Sequence, residues 1–372
     1  MPRIALNAHL LFGGASYRSA GIHHYIDNLL RHLPEAGPDL DFTVYVGAGQ
    51  PAMARATVQR SRWPTQRPPV RILWEQLVQP WALLRGRPDL LHSLAFASPL
   101  VNPVPAVVTM YDLSFRLMPE KFPAAQRLYL SAMTAQACRR ARRVIAISES
   151  TRADVVRLLG IEAARVDVAY PGVDARFRPW PPAAVAAFRA RAGLPERFIL
   201  FLGTLEPRKN LGALITAFAQ LRRTAPEVHL MVAGAKGWFY GDLFRQVSAL
   251  ALEDRVHFPG FVPAEDLPGW YNAAAVFAYP SSFEGFGMPV AEALACGRPV
   301  VTSTVSSLPE AGGAAALLVP PQDVEALAAA LRQALDQAEA LGPLGPAQAA
   351  RFTWAATAAR TVDSYRKALT GA

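Results

Sequence analysis

Short apolar runs alternate with amphipathic segments along the first half of the chain. The runs predict strands at 3–9, 41–47, 70–74, 88–93, 106–112 and 143–148. Apolar residues with helical spacing predict helices at 20–33, 124–141 and 149–159. Ser148 directly precedes the last of these and offers a hydroxyl to cap its N-terminus. The alternation predicts βαβ units, in which helices cover a parallel sheet.

The proline-rich stretch "YPGVDARFRPWPP" (170–182) interrupts the alternation and predicts an interdomain linker. After it, the runs predict strands at 197–203, 228–234, 255–260, 275–280, 299–303 and 316–320. Helices are predicted at 210–222, 240–251, 264–273, 288–296, 322–338 and 352–369. The fold class is therefore α/β, with two doubly wound, Rossmann-like domains facing a cleft. The predicted boundaries are 1–175, 176–352 and a C-terminal helix in 353–372.

Composition favours a folded cytoplasmic protein. Of 372 residues, 52% are hydrophobic and 18% charged, which disfavours disorder. No apolar run approaches the ~20 residues of a membrane span, and "MPRIALNAHL" predicts a first strand, not a signal peptide. The two cysteines, Cys138 and Cys296, lie far apart, so we expect no disulfide framework and a reducing compartment.

The positive charge is concentrated in the first half of the chain. Residues 1–170 contain 20 basic against 12 acidic residues, whereas 171–372 contain 18 against 17. The densest run is "CRRARR" (138–143). A basic face attracts anionic surfaces, but only four of the 38 basic residues are lysines, so a general arginine bias explains the excess equally well. We expect no nucleic-acid partner, and peripheral contact with an anionic membrane is a hypothesis.

The stretch "PSSFEGFGMPVAEALACG" (280–297) joins a strand, a glycine loop and a helix. Pro289 falls in the first helical turn, where a missing N–H costs least. Such a loop presents free N–H groups and the positive end of a helix dipole, which suits a phosphate. Glu284 lies in the loop and Glu292 about one turn into the helix, so the two carboxylates need not act on one atom. The alternative is that both glutamates simply favour a helix N-terminal region.

A second junction of this kind is "FLGTLEPRKN" (201–210). Arg208 and Lys209 at a helix start oppose its dipole, and binding a diphosphate would explain them. A solvated basic pair is the alternative. Asn210 is the predicted N-cap of the helix. The glycine-rich strand end "VAGAKGWFYG" (232–241) is a weaker signal of the same type.

Together these segments resemble glycosyltransferase family 4, retaining enzymes with the GT-B fold. "FEGFGMPVAE" matches the family's Glu-seven-residues-Glu motif, "GTLEPRKN" its Arg-Lys-Asn segment, and "PVVTSTVSSLPE" (299–310) the stretch that follows. The resemblance implies that Glu284 contacts hydroxyls of the donor sugar and Glu292 the nucleotide ribose. It also implies that Arg208 and Lys209 neutralise the diphosphate. The other donor-binding residues that it implies are Gly203, Phe261, Val262, Gly285, Phe286, Gly287 and Met288.

In the first domain, the resemblance assigns a glycine loop near the diphosphate. Gly21 is the chosen contact, with Gly13 and Gly14 as competing candidates, because only glycine allows close backbone approach. "VVTMYDLSF" (107–115) departs from the family, which often has His-Asp where this chain has Tyr111 and Asp112. Tyr111 can still hydrogen-bond a sugar hydroxyl, but a phenol of pKa ~10 is a poor base near neutrality. Two alternatives remain open. Tyr111 is a core aromatic in one, and in the other His92 is either an acceptor-facing or a structural residue.

The resemblance implies transfer of a hexose from a nucleotide-diphosphate sugar with retained configuration. Glu284, Arg208, Lys209, Tyr111 and Asp112 are the expected catalytic residues, with no metal and no cofactor. The expected donor is GDP-mannose, with UDP-glucose next, and the expected acceptor is a glycan or a lipid-linked sugar. The expected location is cytoplasmic, with peripheral contact at the inner membrane face. Alternatives are a related epimerase or sugar-phosphate synthase, and a nucleotide-sugar-binding protein that has lost catalysis.

Overall fold

The computed structural model of this chain describes residues 1–11, 21–237 and 240–371. The chain divides into two compact units. The first unit comprises Met1–Gly172 with Thr353–Ala372, and the second comprises Val173–Phe352. The predicted division after residue 175 lies within a few residues of the observed one.

The first unit is built on a seven-stranded parallel sheet in the order β3-β2-β1-β4-β5-β6-β7. The strands are β1 Arg3–Asn7, β2 Asp41–Val46, β3 Ala56–Arg60, β4 Leu90–Ser93, β5 Ala106–Met110, β6 Arg143–Ala146 and β7 Val166–Val168. The central strands β4, β5 and β6 are buried along their whole length. The strand order reverses between β1 and β4, which is where doubly wound sheets form a ligand crevice.

Helices cover this sheet. They are α1 Ile22–Ala36, α2 Pro68–Leu73, α3 Gln79–Gly86, α4 Ser114–Leu117, α5 Ala124–Arg140 and α6 Glu149–Leu159. The predicted cap of α6 is confirmed, because Ser148 Oγ accepts a hydrogen bond from the Thr151 N–H at 3.0 Å.

The predicted strand at 70–74 is wrong. These residues continue from α2 into a π-helical turn, Trp74–Val78, and then into α3. A short apolar run does not distinguish a strand from a helix that buries one face. Pro68 and Pro69 begin α2, and their fixed φ suits a first helical turn. The polar strands β3 and β7 were not predicted, because they lack an apolar run.

The second unit contains a six-stranded parallel sheet in the order β10-β9-β8-β11-β12-β13. Its strands are β8 Phe198–Leu202, β9 His229–Ala233, β10 Val256–Gly260, β11 Val276–Tyr279, β12 Val300–Ser303 and β13 Ala316–Val319. All six strands predicted for this half are confirmed. The strand order reverses between β8 and β11, so the loops after these two strands meet at the carboxyl edge.

Helices α7 to α15 surround the second sheet. They are α7 Pro182–Ala192, α8 Leu211–Leu221, α9 Gly241–Ala249, α10 Leu267–Ala273, α11 Met288–Ala295, α12 Leu308–Gly312, α13 Val324–Asp336, α14 Ala338–Leu341 and α15 Gly345–Ala349. Helices α8 to α11 and α13 match predicted helices to within a few residues.

The last helix, α16 Trp354–Thr370, packs within the first unit. Its Tyr365 hydroxyl lies 2.6 Å from His92 Nδ1, and Thr109 Oγ1 lies 2.7 Å from the Nε2 of the same ring. Both nitrogens of the fully buried His92 are therefore engaged in the core. The alternative that His92 faces an acceptor is wrong. Among the described residues, no helix combines the length and apolarity needed to cross a membrane.

Candidate active site

Two loops lie side by side at the carboxyl ends of β8 and β9. The Leu205 N–H donates to the carbonyl of Ala235 at 2.9 Å, and the Gly237 N–H donates to the carbonyl of Leu205 at 3.2 Å. Gly234 has φ +143°, and a Cβ there would lie 1.9 Å from the carbonyl oxygen of Gly203. A Cβ on Gly203 itself would make only ordinary contacts, the nearest at 3.4 Å. The close approach of the two loops therefore depends on Gly234.

The β8 loop continues into a 3₁₀ turn, Pro207–Lys209, that carries both predicted phosphate-binding cations. Asn210 follows in the left-handed conformation, with φ 57°. The predicted side-chain cap by Asn210 is wrong. Its amide donates to the carbonyls of Pro280 at 3.2 Å and Pro321 at 2.6 Å. A capping residue needs extended backbone, and here the amide instead joins the loops after β11 and β13.

Glu284 is bound by both cations. Arg208 Nη1 lies 3.0 Å from Glu284 Oε2, and Lys209 Nζ lies 2.7 Å from Glu284 Oε1. Lys209 also donates to the Tyr279 hydroxyl at 2.6 Å, and Arg208 pairs with Glu206 at 2.8 Å. Glu284 is 7% exposed and Lys209 is 6% exposed, so the cluster of these five residues is largely shielded from water.

The cluster keeps Glu284 ionised. Burial alone would raise the pKa of Glu284, but the charges of Arg208 and Lys209 outweigh burial and lower that pKa to about 2. Burial and the positive charge of Arg208 lower the pKa of Lys209, while Glu284 and Glu206 oppose this change. Glu284 is therefore an anionic acceptor of hydrogen bonds, held beside cations that can meet a phosphate.

A glycine turn and two serine side chains fix the backbone of the loop before α11. Gly287 has φ +97°, and a Cβ there would lie 2.7 Å from Leu308 Cδ2, so the turn requires glycine. The backbone of Glu284 is held from both sides: its N–H donates to Ser306 Oγ and its carbonyl accepts from Ser307 Oγ, each at 2.9 Å. The N-terminus of α11 thus follows directly from the loop that carries Glu284. Such an end favours an anionic ligand group.

Glu292 has surroundings different from those of Glu284. It lies within α11 and accepts a hydrogen bond from the Tyr271 hydroxyl at 2.8 Å. Burial raises the pKa of Glu292 to about 7, and the bond from Tyr271 counteracts this only in part. The two glutamates therefore have distinct partners and opposite pKa shifts.

Glu292 makes stability depend on pH. Its pKa is 4.5 ordinarily and about 7 in the fold. Between these values the folded protein keeps the proton that the unfolded chain has lost, so the free energy of unfolding falls as the pH rises. The shift corresponds to roughly 3 kcal/mol. Glu292→Gln stays neutral, so we expect its stability relative to the parent protein to increase across this window in chemical denaturation. The exposed Glu325→Gln is the control, and parallel pH curves for Glu292→Gln and the parent would contradict the expectation.

The remaining predicted donor contacts lie on the same unit. Phe261 is exposed after β10 and Val262 is buried. The Phe286 ring is buried against Phe352, with centroids 5.0 Å apart. Gly285 is buried, and Met288 is half-buried as the first residue of α11. The roles of these residues in donor binding remain predictions.

The first unit holds the other predicted residues. Gly21 precedes α1 with φ +47° and open space around its Cβ position, so its backbone conformation favours glycine. Gly13 and Gly14 lie outside the described residues. The Tyr111 hydroxyl donates to the Leu94 carbonyl at 2.8 Å. Burial raises the pKa of Tyr111 well above 10.0, and the neighbouring Tyr25 adds to this shift. Asp112 accepts from the N–H of Ser114 at 2.9 Å and from its hydroxyl at 2.6 Å, at the start of α4.

Sequence reasoning missed four groups of this site: Glu206, Tyr271, Tyr279 and the Ser306–Ser307 pair. Glu206 adjoins the basic pair, and the serines lie in the quoted "PVVTSTVSSLPE" stretch, so a signal existed for both. No sequence signal pointed to Tyr271 or Tyr279 beyond the apolar residues next to them. Within the described ranges, no three His, Cys, Asp or Glu side chains are grouped to hold a metal ion.

Comparison with known proteins identifies the family. A family model described as glycosyl transferases group 1 matches residues 186–347, and one described as glycosyltransferase family 4 matches residues 19–177. The O-antigen chain mannosyltransferase B of Escherichia coli is 33% identical over 293 residues, which cover 77% of each chain. A D-inositol 3-phosphate glycosyltransferase of Kineococcus radiotolerans is 36% identical over 61% of this chain and 57% of that protein.

Among solved structures, sucrose-phosphate synthase from Thermosynechococcus elongatus superposes with a TM-score of 0.78 at 25% identity and covers 100% of both chains. These matches confirm the resemblance found in the Glu284–Glu292 and Arg208–Lys209 segments. The chain belongs to glycosyltransferase family 4, in the group 1 glycosyl transferases, and has the GT-B fold.

Proposed function

We propose that this protein is a retaining, metal-independent glycosyltransferase that moves mannose from GDP-mannose to a glycan or lipid-linked acceptor. The observation that carries the proposal is the buried Glu284 carboxylate held by Arg208 and Lys209 beside the N-terminus of α11. An ionised carboxylate accepts hydrogen bonds from sugar hydroxyls, while the cations and the helix end attract a diphosphate. One compact site thus offers groups for both parts of a nucleotide sugar.

The proposed reaction is front-face departure. The bond between the anomeric carbon and the diphosphate breaks, and the acceptor oxygen bonds to that carbon from the same face. The departing phosphate takes the acceptor proton. Arg208, Lys209 and the α11 dipole stabilise the charge that develops on this phosphate, which is the largest catalytic effect such groups supply. Glu284 and Glu292 have separate partners, which disfavours the paired carboxylates of retaining glycosidases.

Mannose is the favoured sugar because the E. coli relative is named as a mannosyltransferase of the O-antigen chain. The inositol 3-phosphate relative and the sucrose-phosphate synthase neighbour support a second candidate, transfer to a phosphorylated acceptor with UDP-glucose or another donor. We also propose a lipid-linked acceptor and peripheral contact with the cytoplasmic membrane face, and the basic first half of the chain is compatible with both.

The test compares GDP-mannose, UDP-glucose and ADP-glucose, first by thermal shift, because a bound ligand stabilises the native state. Transfer to a lipid-linked oligosaccharide extract is then measured, and NMR gives the anomeric configuration of the product. We expect the largest stabilisation and transfer with GDP-mannose, an α-linked product, and full activity in EDTA. Preference for UDP-glucose with a sugar phosphate would favour the second candidate. Activity lost in EDTA and restored by Mn²⁺ would overturn metal independence, and interconversion of donor without acceptor would indicate an epimerase.

A further inference from the structure

The helical segment 68–86 of the first unit has an apolar outer face. Leu73, Leu77, Trp81 and Leu84 are between 51% and 65% exposed. Their spacing of four, four and three residues places them along one stripe of the segment. We call these four residues the outer stripe. Most surface leucines occur singly, so four aligned large apolar residues indicate an interaction surface.

The inner face of the same segment already serves the core. Trp74, Gln79 and Leu83 are buried, and Trp74 and Leu83 pack in a cluster with strand residues of the first sheet. The fold therefore explains the inner apolar residues but gives the outer stripe no role. The segment thus has two apolar faces, and only one of them is required for folding.

The loop between β4 and β5 extends this apolar surface. Leu100 and Val101 are 46% and 72% exposed. The Leu100 N–H donates to Gln76 Oε1 at 2.8 Å, which places this loop beside the segment. Arg140, from the "CRRARR" run, donates to the Leu100 carbonyl, so the densest basic run of the sequence adjoins the same surface.

Exposed arginines lie before and after the segment in the sequence, and one lies within its last turn. Arg62, Arg67, Arg85 and Arg87 are exposed. Arg85 lies over the Trp81 ring at 4.0 Å. The one acidic residue in the sequence from 62 to 87 is Glu75, which is buried. A segment with an apolar outer stripe and exposed arginines near both ends complements an anionic lipid bilayer, with Trp and Leu among the acyl chains and Arg at the headgroups.

We infer that the outer stripe and the Leu100–Val101 loop insert into the headgroup region of an anionic membrane. This locates the membrane contact of the proposed function on a defined surface. The purpose of this membrane contact rests on the proposed function. Lipid binding itself can be measured without donor or acceptor. The segment lies on the membrane and does not span it.

Flotation with vesicles tests the inference. One set is phosphatidylcholine alone, and the other contains about one-third phosphatidylglycerol. We expect binding to the anionic vesicles that weakens with salt, and little binding to the neutral ones. The double variant Leu77→Glu/Trp81→Glu should bind at least about tenfold more weakly, since each buried large side chain contributes more than tenfold in affinity. Leu344→Glu, at a leucine of the second unit that is 49% exposed, should bind like the parent protein.

Thermal unfolding should show that the double variant is folded, because both substituted positions face solvent. Equal binding of the double variant and the parent, or equal binding to neutral and anionic vesicles, would overturn the inference. A lipid-free dimer in light scattering that the double variant abolishes would also overturn it, assigning the stripe to a second copy of the chain. Intact vesicle binding without sugar transfer would leave the inference standing and count against the proposed function.

Discussion

Lys209→Met is expected to lower kcat for sugar transfer by about a hundredfold to a thousandfold, the usual effect of removing one preorganised group that stabilises developing charge. The methionine keeps most of the length of the side chain but removes the charged Nζ that lies 2.7 Å from Glu284 Oε1. The leaving phosphate would then lose one of its two proposed cations. Initial rates at saturating donor and acceptor measure the effect.

A stability control accompanies this variant, because Glu284 would retain only Arg208 as a close cationic partner within its cluster. Removing one member of a buried ion pair costs about 3–5 kcal/mol, so rates are measured below the unfolding temperature found by circular dichroism. Arg332→Ala, which breaks an exposed ion pair with Asp336 in the same unit, should leave transfer unchanged. If folded Lys209→Met transfers within about threefold of the parent rate, Lys209 does not act on the leaving group.

Gly234→Ala is expected to destabilise the second unit strongly, by about 4 kcal/mol or more. A Cβ at this position would lie 1.9 Å from the carbonyl oxygen of Gly203 and 2.6 Å from its carbon. Both atoms belong to backbone, so no side-chain rotation relieves the overlap. The two loops would have to separate, breaking the bond between the Leu205 N–H and the Ala235 carbonyl. Chemical denaturation measures the loss.

Gly241→Ala is the matched control, because a Cβ there meets nothing within 4 Å and the residue begins α9. Alanine is the better helix former by about 1 kcal/mol, so this variant should be as stable as the parent or slightly more so. Similar stabilities for Gly234→Ala and Gly241→Ala would show that the β8 and β9 loops separate easily.

Much of the fold was predictable because the signals are local. Strands β8 to β13 are short apolar runs between turn residues, and each was predicted. The strand, glycine loop and helix around Glu284 were likewise evident, because glycine and proline restrict the backbone within a few residues. Segment 70–74 was mispredicted because its apolar residues are shared between a buried and an exposed helical face.

The sequence by itself thus determined the α/β class, the two-domain organisation, and the two loops that carry Arg208, Lys209 and Glu284. Only the tertiary structure decided how these residues combine, because the pairing of Lys209 with Glu284 joins positions 75 residues apart. It also decided that Asn210 joins loops instead of capping a helix. The opposite pKa shifts of Glu284 and Glu292 were likewise decided only by the tertiary structure. Both glutamates are buried, and what separates them is whether the fold brings cations or a tyrosine hydroxyl against the carboxylate.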